Sequence, residues 1–269
     1  MKGLILLFRF MTRLPIGFDP KFDSDELGKG MRFFPVVGMV IGLVLFAAFV
    51  SLVFALVSLV FAAFWLLGYV IYSPMVMAVL LVIIEVVLTG GLHLDGLADT
   101  FDGIFSYRSK QKMLDIMKDS RLGTNGGLVL ILYFFLKVAL LVEASNSSPV
   151  IMPIMLLLSP VIARLNSVVN CGSAPYARAT GMGKTFVDHT DGLAVLIATV
   201  ITAIFVGGAA YLFAIPYEIL IVIPVVMILG YLFAKLMTRK IGGITGDTLG
   251  AVVEISEIIA MLGMYILAR

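Results

Sequence analysis

Long uncharged stretches divide the chain into hydrophobic segments joined by short polar ones. No charged residue occurs between Arg32 and Glu85, or between Asp191 and Glu218. A bilayer core about 30 Å thick needs about 20 helical residues, so the first stretch is long enough for two crossings. A turn between these crossings is predicted at 67–74, where glycine and proline interrupt the apolar run.

The pattern predicts an all-α fold, a polytopic transmembrane bundle of about seven spanning helices. An N-terminal interfacial helix is also predicted, because Lys2, Arg9 and Arg13 share one face of residues 2–13. We interpret 1–269 as a single integral membrane domain. The spans are expected at 34–62, 74–94, 126–145, 150–169, 192–214, 217–237 and 248–267. The segments that remain on one side of the bilayer are 1–32, 95–125, 170–191 and 238–247, and the last three are expected to be loops that form the site.

Composition and charge support a membrane protein and orient it. The chain is 61% hydrophobic and 13% charged, whereas a soluble domain carries roughly a quarter charged residues. All but Lys137 and Arg269 of the 19 Lys and Arg residues fall on the side of the predicted loops, helix ends included. The positive-inside rule therefore predicts a multi-pass protein of the cell membrane, in contact with lipid, whose site faces the cytoplasm.

Several kinds of site are disfavoured by the composition. A net charge of +2 is too small to indicate a nucleic-acid partner. The single cysteine, Cys171, excludes an intramolecular disulfide framework, and two histidines argue against a His-based metal site.

The densest chemical signal is a set of three carboxylates that follow the second predicted span. Asp95, Asp99 and Asp102 are spaced i, i+4 and i+7, so a helix places them on one stripe. Carboxylates this close repel one another unless a cation lies among them, and hard oxygen ligands indicate Mg²⁺ rather than zinc. The alternative is a solvated acidic helix end. We favour the metal site, because no basic residue occurs from Glu85 to Arg108.

A second acidic group begins the last predicted span. Asp247 follows Thr245 and Gly246, and Glu254 and Glu257 lie further along the same helix. Carboxylates within a span are costly, and they usually face a cavity or a charged partner. For the intramembrane charges Glu85 and Lys137, a structural ion pair and a functional role both remain open.

Basic loops with features of phosphate-binding sites lie between the acidic groups. One runs from Lys118 to Thr124 after a short amphipathic helix that begins near Ser109, and the other runs over 176–185. The second loop ends in Gly-Lys-Thr, but it lacks the first glycine of a P-loop, so a soluble P-loop fold is rejected. Its glycines, Arg178 and Lys184 can still bind phosphate oxygens. The alternative is positive-inside charge alone. Carboxylates suited to Mg²⁺ beside basic loops are typical of phosphoryl transfer.

The motifs also resemble those of a known family, the cobalamin synthases or adenosylcobinamide-GDP ribazoletransferases. The signature is similar to Gly-Gly-Leu-His-Leu-Asp-Gly-Leu-Ala-Asp-Thr-Phe-Asp-Gly at 90–103. Further matching motifs occur in order along nearly the whole chain, at 10–15, 33–38, 113–124, 176–178 and 243–247.

The resemblance implies a Mg²⁺-dependent membrane enzyme of late cobalamin biosynthesis. It implies that adenosylcobinamide-GDP reacts with α-ribazole or its 5′-phosphate, giving adenosylcobalamin or its 5′-phosphate and GMP. On this basis the catalytic residues are Asp95, Asp99 and Asp102, which hold Mg²⁺ together with Asp247. The residues expected to bind substrate are Asp119, Arg121, Arg178, Lys184, Thr245 and Asp247.

Two alternatives remain at this point. A CDP-alcohol phosphotransferase also uses spaced aspartates on membrane helices, but it typically has Ala-Arg after Asp-Gly, where this chain has Leu97-Ala98-Asp99. A secondary transporter places its charges near the bilayer midplane within internal repeats, and no repeat is visible here. Monomer and homo-oligomer are both open.

Overall fold

The computed structural model of the chain describes residues 2–17, 21–63, 73–148 and 150–267, and its side chains are described for the same residues except 52–63. Most of the turn predicted at 67–74 lies outside the described residues, as does Arg269. Both ends of the single domain predicted over 1–269 also fall outside them.

Helices account for nearly all of the described structure, and its one β-type contact is an isolated bridge between Tyr176 and Ile244. Two short 3₁₀ turns, Met31–Phe33 and Tyr217–Ile221, each lead directly into a long helix. The described residues form twelve α-helices, which are α1 Lys2–Met11, α2 Ser24–Gly30, α3 Phe34–Ala63, α4 Pro74–Thr89, α5 Leu92–Ile104, α6 Lys110–Ile116, α7 Thr124–Ser147, α8 Ile151–Ser173, α9 Met182–Asp188, α10 Gly192–Leu212, α11 Val222–Ile241 and α12 Gly246–Leu267.

The all-α, polytopic prediction is confirmed. In the part of the chain that the structure describes, six helical segments are long and apolar enough to cross a membrane, and a seventh crossing results if α4 and α5 are counted as one bent pair. The predicted second span, 74–94, differs most from the structure, because α4 ends at Thr89 and the chain then turns through 91° into α5. The segments predicted as loops are also partly helical, since α6, α9 and most of α5 lie within them.

The centre of the bundle is α8, whose spanning window is completely buried by the surrounding helices. It packs against α3, α10, α11 and α12. Lipid-facing helices need only one protein-facing side, so α7, α10 and α11 expose most of their apolar residues. Helix α12, which carries Asp247, is therefore held by a helix whose spanning segment is surrounded by other helices.

A buried ion-pair network joins four helices within the bundle. Lys137 of α7 lies 2.7 Å from Glu85 of α4 and 3.0 Å from Glu257 of α12. Arg164 of α8 lies 3.5 Å from the other oxygen of Glu257. These contacts confirm the structural ion pair for Lys137. They also correct the placement of Arg164, which the charge count assigned to the cytoplasmic side and which is in fact buried within the bundle.

Candidate functional site

Two consecutive glycines redirect the chain where the site begins. Gly90 and Gly91 both have left-handed backbone conformations, with φ of 66° and 70°. Residues with a Cβ atom adopt this conformation only at an energetic cost. The turn sets α5 at 91° to α4, so α5 leaves the axis of that helix. The carboxylates of α5 therefore lie beyond the end of α4.

A close crossing of α5 and α12 brings the two predicted acidic groups together. A Cβ atom at Gly96 would lie 2.6 Å from the carbonyl oxygen of Asp247, and one at Gly250 would lie 3.1 Å from the carbonyl oxygen of His93. Only residues without a Cβ atom allow the backbones to approach this closely. Asp95, which precedes Gly96, is thereby placed on the same crossing as Asp247.

Two backbone hydrogen bonds, which we call the backbone clamp, hold the segment before Arg178 against this crossing. The N–H of Ala177 donates to the carbonyl oxygen of Ile244 (2.8 Å), and the N–H of Ile244 donates to that of Pro175 (2.9 Å). The next residue along, Arg178, places its Nη2 2.9 Å from Oδ2 of Asp247. The prediction that residues of the 176–185 loop and the 243–247 motif belong to one site is consistent with this geometry.

The electrostatics of the cluster are those of crowded carboxylates. Burial, followed by the negative charges of Asp95 and Asp247, raises the pKa of Asp99 to about 7, and Arg178 offsets only part of this effect. Within the part of the chain that the structure describes, no three His, Cys, Asp or Glu side chains form a ready metal-binding group. The cluster thus has excess negative charge without a complete set of protein ligands.

Asp95 lines two cavities. We call the first the aromatic cavity. It has a volume of about 260 Å³, and its walls include Phe10, Phe34, Tyr176 and Phe186 beside Arg178, Asp247 and Asp95. His93 also lines this cavity, and burial lowers the pKa of its imidazole to about 3, so the ring is neutral at physiological pH.

We call the second space the basic cavity. It has a volume of about 540 Å³ and is lined by Arg9, Arg13, Thr89, Gly91 and Asp95 among others. Helix α1, which supplies Arg9 and leads into Arg13, is the predicted interfacial helix. The two cavities share Phe10, Leu92 and Asp95.

Asp102, one of the predicted catalytic residues, binds backbone amides away from the two cavities. Its Oδ2 accepts the backbone N–H of Gly123 and its Oδ1 accepts that of Gly126, each at 2.8 Å. These donors are the first backbone amides of α7, so the buried carboxylate anchors the start of that helix. Neither cavity is lined by Asp102.

The remaining predicted residues divide into two groups. Thr245 joins the cluster, because its hydroxyl donates to Oδ2 of Asp247 (3.2 Å). Asp119 and Arg121 pair with each other on the surface at 2.6 Å, and the hydrogen bonds from Arg121 lower the pKa of Asp119 to about 2. Lys184 pairs with a neighbour on its own helix, Asp188, at 2.5 Å. None of these four surface residues lines the two cavities.

Sequence reasoning did not assign His93, Tyr176 or Gly96 to the site. His93 and Tyr176 lie within the quoted motifs, but nothing in their spacing indicates that they line one cavity. Gly96 follows Asp95 directly, and an Asp-Gly pair inside a helix signals close packing, because glycine lowers helix stability when it serves no contact.

Comparisons with known proteins identify the relatives of this site. A family model described as cobalamin-5-phosphate synthase matches residues 3–265. The chain is 46% identical to the adenosylcobinamide-GDP ribazoletransferase of Fusobacterium nucleatum, over 96% of this chain and 95% of the relative. Proteins of the same name from Acetivibrio thermocellus and Clostridioides difficile are 38% and 36% identical, each over 99% of this chain and 98% of the relative. No solved structure matches the chain.

Proposed function

The chain belongs to the cobalamin-5-phosphate synthase family, and we propose that it catalyses the family's reaction at the carboxylate cluster. It transfers the phosphocobinamide group of adenosylcobinamide-GDP to α-ribazole or α-ribazole 5′-phosphate and releases GMP. The observation that carries the proposal is the convergence of Asp95, Asp247 and Arg178 at the aromatic cavity, where Asp95 also lines the basic cavity. This assignment replaces the CDP-alcohol phosphotransferase and the transporter as alternatives.

The reaction sets clear demands on the site. A ribazole hydroxyl attacks the phosphorus that carries cobinamide, and the bond from that phosphorus to the GMP oxygen breaks. Positive charge must offset the diphosphate as GMP departs. Arg178 is the cation placed for this purpose, because Asp247 holds its guanidinium at the wall of the aromatic cavity. A bidentate guanidinium suits phosphate oxygens better than a single ammonium does.

We propose Mg²⁺ as the cofactor, held by Asp95, Asp99 and Asp247. Mg²⁺ keeps several waters and usually binds through one or two carboxylates plus substrate phosphates, so a complete protein cage is not required. Support comes from the hard oxygen donors and from the raised pKa of Asp99, which reports unbalanced negative charge. When bound, the ion would neutralise the diphosphate. Asp102, which binds two backbone amides, is left out of this set.

The protein is integral to a membrane, and we propose that its site faces the cytoplasm in the cell membrane. Support comes from the clustering of Lys and Arg residues on the side that carries the site. A nucleotide substrate and a GMP product also suit a cytoplasmic opening. The lipid contact implied for α7, α10 and α11 follows from their exposed apolar residues.

The test uses purified protein in liposomes with adenosylcobinamide-GDP, α-ribazole 5′-phosphate, and either Mg²⁺ or EDTA. We expect GMP and the corrinoid product to appear in equal amounts with Mg²⁺ and neither to appear with EDTA. Asp99→Asn should abolish turnover, whereas the control Asp25→Asn, an exposed aspartate on α2, should retain it. Turnover by Asp99→Asn near the wild-type rate would refute the metal assignment, and a folded wild-type protein without product would refute the reaction.

A further inference from the structure

The two cavities that meet at Asp95 differ in size and chemistry. The aromatic cavity is about half the volume of the basic cavity, and Arg178 is the one Lys or Arg among the described residues that line it. The described lining of the basic cavity includes Arg9 and Arg13 beside Asp95. A transfer between two substrates needs two subsites that meet at the reacting phosphorus.

We propose that the aromatic cavity binds the acceptor nucleoside and that the basic cavity binds the GMP part of the donor. The inference rests on the proposed function and assigns each substrate a place within it. The reacting phosphorus lies next to Asp95, the charged residue that lines both cavities. The cobinamide group is far larger than either cavity, so it remains outside their common mouth.

The walls of the aromatic cavity suit a neutral, planar base. Phe34, Tyr176 and Phe186 supply aromatic surface, and benzimidazole, the base of ribazole, is an apolar ring that stacks well on such surfaces. His93 lines the cavity, and its buried Nδ1 has no hydrogen-bond partner among the residues that the structure describes. A neutral imidazole can satisfy that atom with a ring nitrogen of the base.

The lining of the basic cavity suits an anionic nucleotide. Arg9 of α1 and Arg13, which follows the end of that helix, both line the cavity, so their guanidinium groups can bind neighbouring phosphate oxygens. Arg13 is positioned by its backbone, whose N–H donates to the carbonyl oxygen of Leu88 at 2.8 Å. Its side chain packs against Gly90, where an added Cβ atom would lie 2.5 Å from Nε of Arg13.

The arrangement matches the stereochemical demand of the reaction. In phosphoryl transfer, the attacking and leaving oxygens lie roughly in line on opposite sides of phosphorus. A hydroxyl oxygen that enters from the aromatic cavity forms the new bond and gives up its proton. The GMP oxygen takes the electron pair of the breaking bond and departs into the basic cavity. Two separate cavities that both reach Asp95 can provide those two directions.

Steady-state kinetics with both substrates varied test the assignment. Arg13→Gln should raise the KM for adenosylcobinamide-GDP about ten- to hundredfold, the usual loss for one charged hydrogen bond, and change the KM for α-ribazole 5′-phosphate less than twofold. Met182→Trp fills the aromatic cavity from its exposed rim, so it should raise the acceptor KM and not the donor KM. The matched control Lys2→Gln removes a positive charge from α1 at a residue that lines neither cavity, so it should change neither KM.

Equilibrium binding of GMP and of α-ribazole covers the case in which a variant has no turnover. GMP affinity should fall in Arg13→Gln and persist in Met182→Trp, and α-ribazole affinity should show the reverse. Equal effects of each variant on both ligands, or the opposite pattern, would overturn the assignment. It would also be overturned if the Arg13→Gln effect appeared with phosphatidylglycerol and vanished in pure phosphatidylcholine, because the arginines would then bind lipid headgroups. Wild-type protein that binds both ligands separately but forms no product would instead refute the proposed function.

Discussion

Replacing Gly96 by alanine should disable the site while leaving the membrane fold in place. The added Cβ atom would lie 2.6 Å from the carbonyl oxygen of Asp247 and 3.2 Å from the Cα atoms of both Asp247 and Gly250. All three neighbours are backbone atoms, so none can rotate away. Reaching an ordinary contact of 3.4 Å requires α5 and α12 to separate by about 0.8 Å at the crossing.

The expected loss of activity follows from how strongly the rate of a transfer reaction depends on the positions of the reacting groups. A displacement of about 1 Å costs roughly 10²-fold in rate, because the reacting groups leave their productive geometry. We therefore expect kcat/KM of Gly96→Ala to fall about 100-fold, equivalent to about 2.7 kcal/mol of transition-state stabilisation. Overpacking at a helix crossing should also lower the free energy of unfolding by about 1–3 kcal/mol.

The assay compares GMP release with thermal unfolding in the same detergent. The matched control is Gly208→Ala on α10, where an added Cβ atom would meet no heavy atom within 4 Å. This control should keep wild-type activity and stability. The reasoning would be refuted if Gly96→Ala kept kcat/KM within threefold of wild type, because the close crossing would then have no part in aligning Asp95 with Asp247.

Three further predictions concern the buried ion pairs of Lys137, the helix-anchoring carboxylate of Asp102 and the carboxyl group of Asp99. Lys137→Met leaves the buried carboxylates Glu85 and Glu257 short of a partner, so the unfolding free energy should fall by about 3–5 kcal/mol in a denaturant titration, and an unchanged midpoint would contradict the network. Asp102→Ala removes the acceptor of two helix-start amides, so it should cost about 0.5–2 kcal/mol of stability, and loss of turnover without loss of stability would restore Asp102 as a catalytic residue. The Asp99 carboxyl has a pKa of about 7 when folded and an ordinary value of 3.8 when unfolded, so in EDTA its contribution to stability should be lost as pH rises from about 4 to 7. Thermal melting of wild type against Asp99→Asn across that range measures the loss, and parallel curves would contradict it.

The approximate number of membrane-spanning helices and the acidic stripe could be predicted from the sequence, because both depend on regular local patterns. Uncharged runs of more than 20 residues have few alternatives to spanning helices in a bilayer. The i, i+4, i+7 spacing places Asp95, Asp99 and Asp102 on one stripe of whatever helix contains them. The prediction was wrong at the end of the second span, because two glycines at 90–91 have left-handed conformations that an apolar pattern does not reveal.

The roles of individual charges could be assigned only from the tertiary structure. Asp95, Asp99 and Asp102 share one stripe, yet Asp95 lines two cavities while Asp102 binds backbone amides at the start of α7. The charge count placed Arg164 and Arg178 on the same side, yet one is buried beside Glu257 and the other pairs with Asp247 at the cavity wall. Spacing along a helix determines which side chains share a face. Which groups that face meets depends on contacts between residues distant in sequence, and here these are the crossing of α5 with α12 and the clamp between 175–177 and 244.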